Sequence, residues 1–297
     1  AAPAYISEIA PTKIRGRLVA MYQFSIVFGV LIAFISNYFL SNLGENAWRW
    51  MIGIEAFPAL IYGLLMLRVP MSPRWLVTKG RIVEATRVLQ LVDPDKNINA
   101  FIEKITSDNP TVTENIFMKK YRTPLLLAFF IAFFNQFSGI NAFWYYAPRI
   151  FEEAGLGAST ALLSSVGIGF FNVAFTLIGV FLIDKWGRKK LMYIGSFGYI
   201  ISLGLVAAAF FFGWGGTFIV VFFFIFVAAH AMGQGTVIWV FISELFPNHL
   251  RASGQAFGST IHWVLAAIIP SFIPVLFSSI GAGVVFTFFT MMMIFQL

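Results

Sequence analysis

The chain has 297 residues, 59% of them hydrophobic and 11% charged, with a mean hydropathy of +0.83. A water-soluble domain of that size has too little polar surface to cover so much apolar material, so the composition points to the bilayer as solvent. Cys is absent, which excludes a disulfide framework and thiolate metal sites.

The first residues, "PAYISEIAPTKIRGRL", read as the last turn of a helix followed by a charged turn. With no Met in front and "MMMIFQL" near the end, both ends are expected to be cut from a longer protein. A helix needs about 20 apolar residues to cross a bilayer. Such runs stand at 18–40, 48–69, 121–146, 161–183, 191–213, 217–241 and 252–277, with a shorter eighth at 283–297. The expected class is an all-α, polytopic membrane protein.

The run at 48–69 contains a single carboxylate, Glu55, five residues beyond Trp50. A charged group at depth costs several kcal/mol, so Glu55 is a functional candidate, with proton coupling as its role. A structural Glu held by a cationic partner is the alternative.

Residues 70–120 are hydrophilic, and Pro73, Pro94 and Pro110 punctuate them. Ile98, Phe101, Ile102 and Ile105 follow helical spacing, which favours a folded cytoplasmic helical linker over a solvated one. Their apolar face is expected to lie on the cytoplasmic ends of the membrane helices.

In the next run, "NQFSGINAFWYYAPRIF", Gln136 and Asn141 are five apart. On an ideal helix that is roughly 140° of rotation, so the two do not share a face. Gly139 between them allows local unwinding, and transporters bind substrates at such discontinuities. Farther on, "DKWGRKK" places Gly187 at a tight turn.

Of the 20 Lys and Arg, 18 fall at 13–17, 68–122, 185–190 and 251. With helices alternating in direction these stretches share one side, which the positive-inside rule makes cytoplasmic. The charge therefore orients the chain in its membrane and excludes nucleic acid as a partner.

"ISEIAPTKIRG" at Ile6 returns as "ISELFPNHLRA" at Ile242. Both copies lie on the cytoplasmic side, six membrane runs apart, as two halves related by an axis along the membrane normal require. The chain then divides into 1–69, the end of an N-terminal membrane half; 70–120, the cytoplasmic linker; and 121–297, a C-terminal membrane half.

With these motifs, and with "PMSPRWL" and "GQGTVIWVFISELFPNHLRASGQAFGSTIHWV", the chain resembles the sugar porter branch of the major facilitator superfamily, and among its members the bacterial pentose and hexose proton symporters. The resemblance implies a twelve-helix major facilitator fold. The runs above would be helices 5 to 12, preceded by the end of helix 4. It further implies secondary transport of a monosaccharide by alternating access with protons as coupling ion, in a multi-pass protein of the bacterial inner membrane whose partners are sugar, protons and the lipid bilayer. A facilitator or a non-transporting sugar sensor of the same fold remains an alternative.

Carried onto this sequence, the resemblance assigns sugar contacts to Gln23, Asn135, Gln136, Asn141, Asn172, Trp239 and His262. The residue types suit that chemistry. Neutral amides donate to and accept from hydroxyls without the desolvation cost of a charge, and an indole face suits the C–H side of a pyranose. For any single amide, a bond between membrane helices is the competing reading. Tyr145 and Tyr146 match an extracellular gate, with an interfacial aromatic belt as an equal alternative. Glu8, Arg15, Asp184, Arg188, Glu244 and Arg251 match a cytoplasmic charge network that closes that side.

The sequence departs from the family pattern at several places. Met71 stands where the family has Glu, Asn135 where Gln is usual, Thr236 for Pro, His262 for an amide, and His230 for an aromatic. No HExxH, phosphate-binding loop or Ser/His/Asp set is present, and His230, His249 and His262 lie in different contexts. An enzyme, a cofactor and a metal site are not expected.

Overall fold

The computed structural model describes residues 5–6, 9–11, 15–93, 97–107, 115–247 and 250–297, with side chains except at 15–17, 19–20, 104, 106–107 and 184. Among these residues, seven helical stretches are long and apolar enough to cross a membrane. They are Met21–Leu40, Gly44–Met66, Lys119–Glu153, Ala158–Ile183, Arg188–Phe212, Gly216–Glu244 and Arg251–Ile280, and Ala282–Gln296 is a shorter apolar helix. The eight apolar runs of the sequence are thus all helical. The chain forms two compact units, Ala1–Ile26 with Phe39–Glu114, and Val27–Tyr38 with Asn115–Leu297.

In the first unit, α1 (Arg15–Leu40) contributes its two ends. After it come α2 (Ala47–Gly53) and α3 (Ala56–Met66), one apolar stretch with a break at Ile54–Glu55. Pro58 explains the break. Lacking an N–H, it cannot donate to the Ile54 carbonyl, which takes the Phe57 N–H at 3.3 Å instead.

The linker folds as α4 (Pro73–Thr78), α5 (Ile82–Val92) and α6 (Ile98–Ser107). The Ser72 side chain accepts the Trp75 N–H at 3.2 Å, and Pro73 occupies the first turn, a standard way to start a helix. Here one expectation is corrected. Phe101, Ile102 and Ile105 pack on Leu76, Val77, Ala85 and Val88. The linker's apolar stripe thus closes on the linker's own helices.

The second unit contains α7 (Arg122–Phe137), α8 (Ile140–Glu153), α9 (Ala158–Trp186), α10 (Arg188–Phe212), α11 (Gly216–Met232), α12 (Gln234–Glu244), α13 (Arg251–Ile280) and α14 (Ala282–Gln296). Two apolar clusters organise it. One joins α8, α10, α11 and α14 through Phe143, Phe151, Tyr199, Phe223, Phe226 and Phe286. The other joins α7, α12 and α13 through Ala128, Ala132, Ile238, Ile242 and Phe257. The middle of α1 belongs to this unit, where a Cβ on Gly169 would stand 3.0 Å from Leu31 Cδ1.

Candidate functional site

Two helix breaks shape the second unit. The first lies between α7 and α8, where Gly139 takes φ 77°, a conformation costly for any residue with a Cβ. The backbone there is held locally. Ser138 Oγ donates to the Asn135 carbonyl at 2.6 Å, and the Ile140 N–H reaches Ser138 Oγ at 3.4 Å.

The break re-aims Gln136 and Asn141, which a straight helix would splay apart. Asn141 Nδ2 donates to Gln136 Oε1 at 2.8 Å. Gln136 Nε2 donates to Asn135 Oδ1 at 3.2 Å and faces His262 on α13, 2.9 Å from Nδ1. His262 in turn meets Trp239 of α12 edge-on, with ring centroids 4.8 Å apart. Five of the expected residues, Asn135, Gln136, Asn141, Trp239 and His262, therefore stand as one connected set.

Burial within the set is graded. Asn135 and Gln136 are buried, while Asn141, Trp239 and His262 are half-buried. Asn135 Nδ2 is buried with no hydrogen-bond partner among the described residues. A buried amide donor without a partner costs roughly 1–3 kcal/mol, so this atom would gain from an incoming acceptor. The set holds no charge, so it suits a neutral ligand carrying several hydroxyls.

The other expected contacts stand apart. Asn172 is buried on α9 and makes no hydrogen bond to this set among the described residues. Gln23 is half-buried on α1, in the first unit. Tyr145 is exposed, and Tyr146 packs half-buried on the larger apolar cluster. Glu55 lies at the break between α2 and α3, with its side chain exposed.

In the charge network Arg188 Nη2 meets Glu244 Oε1 at 3.1 Å, joining the start of α10 to the end of α12. Arg251 donates instead to the Ser243 carbonyl at 3.1 Å, so Glu244 pairs across helices and not with the Arg seven residues on. Glu8, His249 and the side chains of Arg15 and Asp184 lie outside the described residues. Among the described residues no cluster of three or more His, Cys, Asp or Glu is placed to hold a metal.

The second break, at Gly233 between α11 and α12, is not foreshadowed by the sequence, although His230 and Thr236 beside it depart from the family pattern. Gln234 is fully buried and donates to Ser196 Oγ of α10 at 2.8 Å. Thr236, where the family pattern has Pro, donates its hydroxyl to the Ala231 carbonyl at 2.6 Å.

A family model described as "Sugar (and other) transporter" matches residues 1–297. Over 293 residues the chain is 36% identical to a D-xylose transporter of Levilactobacillus brevis, an alignment covering 96% of this chain and 64% of that protein. It is 34% identical over 270 residues to the D-xylose-proton symporter of Escherichia coli K12, covering 88% of this chain and 55% of that one. Among solved structures, that of the proton:xylose symporter XylE bound to 6-bromo-6-deoxy-D-glucose superposes with a TM-score of 0.80 at 30% identity, covering 99% of this chain and 65% of that one. The chain thus spans 55% to 65% of the length of these relatives.

Proposed function

The chain belongs to the sugar transporter family, with an all-α major facilitator fold in a multi-pass membrane protein, and from that premise we propose that it serves proton-coupled symport of a monosaccharide by alternating access. The observation that carries the reading is the connected, uncharged set Asn141–Gln136–His262–Trp239.

Its chemistry matches a sugar. Gln136 has its acceptor taken by Asn141 and its donors turned to Asn135 and His262. Sugar hydroxyls, each a donor and an acceptor, can replace those partners one for one. Gln136 then exchanges partners without being stranded, and Asn135 Nδ2 gains the acceptor it lacks. Trp239 offers its face to the C–H side of the ring. Asn172 adds a further sugar contact in this reading, and Tyr145 with Tyr146 forms the extracellular gate.

The cytoplasmic network supports the alternation. The Arg188 and Glu244 side chains are 34% and 44% exposed. A pair so open to solvent is worth about 0–1 kcal/mol, too little to lock a state alone but enough, within a wider charge network, to bias two states of similar energy. Glu55 carries the proton coupling, as the lone carboxylate of its apolar stretch, set where the helix is broken.

Calorimetry of the full-length protein against a panel of pentoses and hexoses, D-xylose first, tests the substrate class. Saturable binding of at least one monosaccharide is expected. No heat of binding across the panel, from protein that melts cooperatively, would contradict the proposal.

A further inference from the structure

Helix α10 grips α11 and α12 on both sides of the Gly233 break. On the near side, the Tyr199 hydroxyl lies 2.5 Å from His230 Nδ1, three residues before the break. On the far side, Ser196 Oγ takes the Gln234 amide at 2.8 Å, and the same amide reaches the Met192 carbonyl at 3.4 Å. Ser196 and Tyr199 are three apart, so both project from one face of α10.

Small residues make the grip possible. A Cβ on Gly195 would stand 3.0 Å from Gly233 Cα, and one on Gly198 would collide with Ala229 Cβ. The two backbones are therefore in near contact, and short polar bridges can span them.

Cohesion alone does not account for these polar groups. Tyr199, Ser196 and Gln234 are buried, and apolar residues of similar volume would fill the same space without the cost of desolvating hydroxyls and an amide. The break supplies a reason. Where a helix is interrupted, its backbone ladder no longer fixes the direction of the next segment; Thr236 caps one freed carbonyl here, which leaves the rotation of α12 about its axis to side chains.

We propose that Tyr199, His230, Ser196 and Gln234 form a positioning clamp that sets the rotation of α12 relative to α11, and with it the placement of Trp239 against His262. None of the four belongs to the connected sugar set; they act through Trp239. The inference rests on the sugar-site reading for its functional consequence, though not for its structural one.

The test uses Tyr199→Phe with His230→Phe in the full-length protein. The pair keeps an aromatic ring at each position and removes both polar ends together, so neither is left stranded. Melting temperature should stay near the parent's, while hydrogen–deuterium exchange quickens over residues 233–239 and the sugar dissociation constant rises about tenfold. His230→Gln, whose amide oxygen still accepts from Tyr199, should bind within about threefold of the parent. Ser196→Ala with Gln234→Leu removes the other arm and decides the matter should the first pair misfold. Parent-like exchange over 233–239 in a folded double variant would overturn the clamp, as would sugar binding within about twofold of the parent. If the parent itself binds no monosaccharide, the transport reading fails, and exchange over 233–239 still decides the clamp.

Discussion

Gln136 and His262, 126 positions apart, meet at 2.9 Å across α7 and α13. The amide donates, so the imidazole nitrogen that accepts carries no proton, and the other ring nitrogen, 3.1 Å from the same amide, carries the N–H of the neutral ring. His262 thus offers one acceptor and one donor, the same pair of functions that an amide side chain would bring.

Removing either end of the set should weaken binding. Gln136→Ala strands Asn141 and His262, and Trp239→Ala removes the stacking face. Each is expected to cost about 1–3 kcal/mol, or roughly 5- to 150-fold in affinity. Calorimetry of the full-length variants checks this; parent-like affinity in both would remove the site assignment.

At His262 the outcome should depend on hydrogen-bonding function and not on ring shape. His262→Asn and His262→Gln are expected to keep binding, since each still donates and accepts, while His262→Leu loses it. Equal affinity for all three would reduce His262 to a packing residue.

The membrane stretches were legible because hydropathy depends on composition alone, and the Gly139 break because a lone glycine stands between two polar residues that no single helix face can join. The Gly233 break left no such mark. The need for glycine at 233 is set by the fold, where a Cβ would stand 2.7 Å from Gly195 Cα, and the partners of its neighbours, Ser196 and Tyr199, come from another helix, 38 residues from Gln234 and 31 from His230. The linker's stripe was visible at Phe101, Ile102 and Ile105, but its partner was not, because Leu76 and Val77 sit in a six-residue helix too short to show a period. Likewise the fold, and not the motif, pairs Glu244 with Arg188 on another helix.

Gly139→Ala should harm both fold and site. The added methyl would stand 2.5 Å from the Phe289 ring, and at φ 77° a side chain costs a further 1–2 kcal/mol or so. A lower melting temperature in detergent and weaker sugar binding are expected. A variant that melts and binds like the parent would show that the break does not need glycine.

For Glu55→Gln, sugar binding and counterflow exchange should survive while uphill uptake is lost, because the variant keeps the shape and hydrogen-bonding capacity of the side chain but has no proton to carry. Counterflow and gradient-driven uptake measured on the same vesicles separate the two. Undiminished accumulation by the variant would remove Glu55 from the coupling path.

Proton-driven accumulation of radiolabelled sugar tests the central claim most directly. The full-length protein is reconstituted into liposomes, an inward proton gradient is imposed, and internal sugar is followed over time with and without a protonophore. Sugar should rise above the external concentration and fall back when the protonophore collapses the gradient. Saturable uptake that only equilibrates, gradient or not, would make the protein a facilitator, and no saturable uptake of any monosaccharide would contradict the account as a whole.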